Sequence, residues 1–314
     1  MFGSRIRLLC CGLGWGLCCA GLTQETSGDT LVIRLHKEKV LLYEPLVVEV
    51  TLNLEEPFRR TVDDPHEADR QLHRLRRRLY AVLKDADDEA LCKGLIGCLA
   101  FTPTEEPTSE FEDTGLAFLQ SPNRKGGFLH SERTGTYTLV VRDRERGMES
   151  NAVPITIVAP RGEEVGAAEV FTQNSAKVAR AIIEPGAQGS VVPSLARLAS
   201  EFPETPYGKY AIASLALRHF EVTMAEHNIK GGAAVWSPIA AELRKAASRF
   251  TGRHPLREKV LLDLATAYAY AGDIVKSREA ANALVSDFPN SKSTKEATQL
   301  LNELRRKRAS DAPE

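Results

Sequence analysis

Residues Leu261–Ser291 read LLDLATAYAYAGDIVKSREAANALVSDFPNS, and the reading of this stretch decides the C-terminal half of the chain. Apolar residues recur at helical spacing on both sides of Gly272-Asp273. Glycine just past one helix tolerates the left-handed backbone that ends it, and aspartate caps the free N–H groups of the next. The stretch is therefore helix, tight turn, helix.

Working outward, three runs echo one another: LARLASEFPETPYGKYA, LRKAASRFTGRHPLREK and LVSDFPNSKSTKEATQLL. Each ends a helix near Phe202, Phe250 or Phe288, turns, and begins another. A helix-pair period of about 34 to 45 residues is the mark of stacked repeats, since one pair cannot bury its apolar face alone. Helices are expected over Pro193–Phe202, Pro206–Glu226, Pro238–Phe250, Leu256–Ala271, Ile274–Asp287 and Ser293–Arg308. One more is expected within EVFTQNSAKVARAI. Thr205-Pro206 and Ser237-Pro238 put a capping hydroxyl before a proline, and Ser293 with Glu296 spells a capping box.

Leu264, Tyr268, Gly272 and Pro289 occupy the hallmark places of tetratricopeptide repeats, so the unit resembles that family. Ser277 stands where the family has a small residue in its second helix. FPETPYGKYA is also similar to repeats of exported bacterial proteins related to outer-membrane-assembly lipoproteins. The resemblance covers roughly residues 190 to 308 and implies a short helical solenoid with a partner groove. Carried onto this chain, the groove positions are Lys259, Leu262, Thr266, Ala269 and Tyr270. Tyr268 and Tyr270 are turned about 200° apart on a helix, so they cannot face the same core. A helical bundle closed on itself is the alternative, and in it Tyr270 packs on a neighbour.

Residues 28–160 change period. Leu31, Ile33 and Leu35 alternate with Val32, Arg34 and His36; LVVEVTLNL, LYAVLKD, GTYTLVVRD and VPITIV follow, punctuated by glycine, proline and asparagine. Seven or eight short strands without a long helical pattern predict an antiparallel β-sandwich. VLLYEPLVVEVTLNL and GTYTLVVRDRERGMESNAVPITIV resemble immunoglobulin-like domains of exported bacterial proteins. The resemblance implies a corner tyrosine at Tyr137 whose hydroxyl finds backbone upstream. Residues 161–189 form a charged joint and a connecting helix, and 309–314 a disordered tail. Each half has its own apolar pattern, so each is expected to own a core, with a protease-sensitive joint at 161–165.

The N-terminal run MFGSRIRLLCCGLGWGLCCAGLTQ has two arginines, an apolar core too short to cross ~30 Å comfortably, and small residues at Ala20 and Gly21. Residues 1–20 read as a cleaved signal peptide, with lipidation at Cys18 or Cys19 and a retained anchor as the alternatives. Export leaves Cys92 and Cys98 in an oxidising space, where they are expected to bridge across a hairpin containing Gly94 and Gly97. A free reduced pair is the alternative; metal binding lacks a second pair of ligands.

The 314 residues carry 41 Lys+Arg against 42 Asp+Glu, a net charge of −1, which argues against a chain built to neutralise nucleic-acid phosphates. RQLHRLRRR, residues 70–78, reads as a charged strand edge that discourages edge pairing, and the acidic run at 63–69 as a solvated loop. The sequence holds no HExxH, GxSxG, phosphate loop or dinucleotide fingerprint, and its histidines are scattered. The expectation is a non-enzymatic exported interaction protein without cofactor, peripheral to the cell envelope at most, binding a protein or peptide through the helical groove. The rival is an inhibitor or carbohydrate-binding module that recognises its ligand through the sandwich loops.

Overall fold

The computed structural model describes residues 28–58, 79–97, 108–117, 134–144, 146–183, 192–227, 231–289 and 291–310. The expected signal peptide, the acidic run 63–69, the basic run 70–78 and Cys98 lie outside these residues.

Strands come first and helices second. The strands are β1 (Thr30–Leu35), β2 (Lys39–Leu41), β3 (Leu46–Phe58), β4 (Leu79–Lys84), β5 (Ala90–Gly97), β6 (Thr108–Ala117), β7 (Gly135–Asp143) and β8 (Val153–Val158). Their hydrogen-bonded order is β1-β3-β6-β5-β4-β7-β8-β2. All pairs are antiparallel except β2 with β8. The pattern of two is explicit in β3, where Leu46, Val48, Val50, Leu52 and Leu54 are buried and the residues between them half-exposed. These side chains share one core with Leu79, Ala81 and Leu83 of β4 and Leu139 and Val141 of β7.

β5 joins the two groups of strands. Leu83 pairs with Cys92 and Ala81 with Gly94, then Ile96 and Gly97 pair with Ala117 and Leu116 of β6. This corrects the hairpin expected around Gly94: residues 90–97 run as one strand, held on β4 for most of its length. The Cys92–Cys98 pairing itself is not described. At Tyr137 the hydroxyl donates to the Thr134 carbonyl at 3.4 Å, three residues upstream.

The helices are α1 (Glu163–Gln173), α2 (Ser175–Ile183), α3 (Val192–Glu201), α4 (Pro206–His227), α5 (Gly232–Ala247), α6 (Pro255–Tyr270), α7 (Ile274–Asp287) and α8 (Lys292–Ser310). The expected connecting helix is two helices, separated at Asn174. From α3 onward each helix packs on the next, and α4, α6 and α8 also touch in series.

The three echoing runs build the same turn. Thr205 accepts from Gly208 N at 3.1 Å, and Ser291 accepts from Thr294 N at 3.2 Å, each hydroxyl three residues after its phenylalanine. The Phe202 and Phe288 carbonyls accept from the residues that close these turns. At the middle copy His254 takes the capping role, its Nδ1 accepting from Leu256 N at 3.2 Å. Gly208 has no room for a side chain: a Cβ there would lie 1.9 Å from the Phe202 carbonyl oxygen. Gly272, at φ 81°, ends α6, and Asp273 caps α7 through Lys276 N.

Three helix boundaries differ from expectation. The helix expected from Pro238 begins at Gly232, so that Pro238 lies inside it and the Ala234 carbonyl loses its usual donor. Burial of Trp236 against Phe220 and Tyr270 outweighs that loss. The cap of α8 is Ser291 and not Ser293. α8 continues to Ser310, two residues beyond the expected helix and into the expected tail.

The halves own separate cores but also share apolar contacts. Leu116, Leu41, Tyr43 and Val47 of the strand half pack into the helical core. Tyr43 stacks on Phe171 with ring centroids 6.4 Å apart, Phe171 meets Tyr207 at 5.7 Å, and the Tyr207 hydroxyl donates to the Leu42 carbonyl.

Candidate groove along helices α4, α6 and α8

The layer formed by α4, α6 and α8 exposes one face of α6. Val260, Leu261, Leu264, Ala265 and Ala267 are buried, whereas Lys259, Leu262, Asp263, Thr266, Ala269 and Tyr270 keep partial exposure, as do Glu258 and, on the opposite side of the helix, Arg257 and Tyr268. Along a helix of 3.6 residues per turn the first six of these partly exposed residues fall on one side, and all five residues named from the sequence are among them.

Their roles diverge. Lys259 Nζ lies 2.7 Å from Glu221 Oε1 of α4, so it already holds a carboxylate across the groove. The Thr266 hydroxyl donates to the Leu262 carbonyl, which turns its oxygen inward on its own helix. Leu262 is partly buried against the helical core. Tyr270 rests on Trp236, ring centroids 5.0 Å apart and planes at 56°. Burial, followed by Glu303 of α8, pushes its hydroxyl above the usual phenol range. The tyrosine is therefore both a packing residue and part of the wall facing α8.

Sequence reasoning passed over Asp263. Its Oδ2 is shielded from solvent and meets no hydrogen-bond donor among the described residues. Burial pushes the carboxyl up to about 7; Lys259 pulls it down, and Glu221 and Glu296 push it further up. An acid buried without a donor is rare enough to require a reason. The only sequence signal was an aspartate four residues after Lys259 on the groove face, and that spacing reads as an ordinary intrahelical ion pair. No such pair forms, because Lys259 turns to Glu221 instead.

Taken together, Glu221 of α4 and Glu296 of α8 lie near enough to Asp263, and Glu303 of α8 near enough to Tyr270, to act on them through charge, with Lys259 of α6 paired to Glu221. Among the described residues no three His, Cys, Asp or Glu come close enough together to hold a metal ion, and no helix is long and apolar enough to cross a membrane. No protein-family model matches the chain, and no curated protein matches it at a significant level.

Proposed function

We propose that the chain is a non-catalytic, exported interaction scaffold or adaptor that binds a protein or peptide segment along the α4–α6–α8 groove. In this reading the strand half is an immunoglobulin-like sandwich and the helices are a short tetratricopeptide-like array, whose first helices line the groove. The observation that carries the proposal is Asp263, a shielded carboxylate without a donor on the helix face that such repeats turn toward their partners. Burying a charge without compensation is expensive, so a partner's lysine or arginine placed there gains what the free groove lacks. Tyr270 beside it supplies the amphipathic ring common at recognition surfaces.

The test is selection of displayed peptides on the immobilised full chain. Enriched peptides are expected to share a lysine or arginine, and their affinity to fall at least tenfold in Asp263→Asn, whose melting temperature at pH 6 should not fall below that of the parent. Peptides without a basic residue, or affinity untouched by the substitution, would remove the groove from the account.

A further inference from the structure

A second concavity, of about 370 Å³, opens where the two halves meet, between the turn around His36–Val47, the start of α4 and the α5–α6 turn. Apolar walls from Leu46, Val47 and Phe250 surround polar groups of both halves. The size suits a small organic molecule. Three fixed cations line it, Lys37, Lys209 and Arg249, against one carboxylate, Glu44.

The charges are unequally engaged. Glu44 is buried and fully used, with Oε1 on Lys37 Nζ at 2.8 Å and Oε2 on Leu41 N at 3.0 Å. Arg249 reaches the exposed Glu204 at 2.6 Å. Lys209 has no carboxylate within ion-pair reach among the described residues. Glu44 thus offsets Lys37 and Glu204 offsets Arg249, which leaves Lys209, near enough to Glu204 to act on it through charge, as the cation of the cleft without an ion pair among the described residues.

Tyr210 and His254 define the floor. Both are buried, and Tyr210 Oη lies 3.2 Å from His254 Nε2. His254 Nδ1 accepts the Leu256 N–H, so the imidazole proton sits on Nε2 and is donated to the tyrosine oxygen. Burial first, then His36 and Lys37, hold the ring neutral by pulling it down to about 3. The hydroxyl's own proton therefore points elsewhere, and among the described residues no acceptor is within hydrogen-bond distance of it. A buried donor oriented by its neighbour, beside an unpaired ammonium and an aromatic wall, is the arrangement of a preformed anion subsite.

We propose that this cleft binds a small organic anion, its carboxylate or phosphate taken by the Tyr210 hydroxyl and the Lys209 ammonium and its apolar body lying on Phe250. The site is separate from the α4–α6–α8 groove and its test does not involve Asp263. Thermal melts of the full chain are recorded with phenyl phosphate, phenylacetate and inorganic phosphate, each against sodium chloride at matched ionic strength. A saturable rise is expected with phenyl phosphate or phenylacetate; the first alone identifies a phosphate head, the second alone a carboxylate. Lys209→Ala should weaken that binding at least tenfold, and Tyr210→Phe, which keeps the ring packing, should weaken it similarly. Absence of a saturable rise with all three anions, or parent-like affinity in Lys209→Ala, overturns the proposal. Parent-like affinity in a folded Tyr210→Phe variant overturns it too.

Discussion

Replacing Asp263 by asparagine should make the protein less sensitive to pH, and the size of the effect follows from the position of its carboxyl group. An acid held at about 7 in the folded chain and 3.8 in the unfolded one binds its proton more tightly when folded. Its contribution is therefore fully present below pH 3.8, and stability falls as pH rises through about 7. The whole span corresponds to about 4 kcal/mol at 1.36 kcal/mol per pKa unit. Asp263 keeps some exposure as a residue even though Oδ2 is shielded, so this is a ceiling. Between pH 5 and pH 8 the parent should lose at most about 2.5 kcal/mol by this route, roughly 4 °C of melting temperature at ~2.1 cal/mol/K per residue over the 314 residues. The amide that replaces the carboxyl in Asp263→Asn does not ionise, so the variant should show none of that loss. Every other ionisable group is present in both proteins and cancels in the difference. The assay is paired thermal melts at half-unit pH steps. Parallel curves from pH 5 to pH 8 would refute the reasoning, because they would mean that Asp263 is already satisfied in the free protein.

Tyr270→Ala removes the ring resting on Trp236 and should cost about 1 to 2 kcal/mol, read as a fall of about 2 to 3 °C in the melt; an unchanged melt would mean that the tyrosine does not pack. Gly208→Ala forces a Cβ onto the Phe202 carbonyl and should destabilise by more than about 2 kcal/mol, whereas Gly252→Ala, where nothing crowds the added carbon, should show only the smaller strain of its left-handed backbone. For the cysteines, β5 advances about 3.3 Å per residue, whereas bridged Cα atoms lie about 4.4 to 6.8 Å apart, so Cys92 in an intact β5 is not expected to bridge to Cys98 of its own chain. Peptide mapping after alkylation under native conditions should find both thiols blocked, and a linked Cys92–Cys98 peptide would mean that β5 is broken.

The order of the chain, strands then helices, was legible because the two periods differ and each is enforced by burial on one side. β3 and α7 were readable for that reason: alternation is strict in the first, and Gly272-Asp273 marks the start of the second. β2, β5 and β6 were not. β2 is three residues long, and β5 and β6 mix glycine, charged and polar residues whose strand form comes from their partners and not from their own pattern. Pro238 misled because proline opens helices more often than it sits within them, and the burial of Trp236 that extends the helix backward depends on Phe220 and Tyr270, distant in sequence. His254 was hidden by its chemistry, since a histidine cap is uncommon where serine, threonine or aspartate is usual. The face of α6 that carries Lys259, Leu262, Thr266, Ala269 and Tyr270 came from the register of the tetratricopeptide resemblance at Leu264, Tyr268 and Gly272. Asp263 on that face did not, because which carboxylate Lys259 selects is decided by the packing of α4 on α6.

The aromatic chain from Tyr43 through Phe171 to Tyr207 bears on how the molecule carries load. A tether attached at the groove and another at the strand half would pull across this junction, where three rings interlock and the Tyr207 hydroxyl holds the Leu42 carbonyl. The connecting backbone at Arg161–Gly162 is exposed, so without the rings it would act as a free swivel. With them, torque applied to the helices passes into β2 and β3 instead of dissipating at the joint. Under the proposed scaffold role, such a junction would transmit orientation as well as attachment: whatever was held at one end would keep a fixed bearing relative to whatever was held at the other.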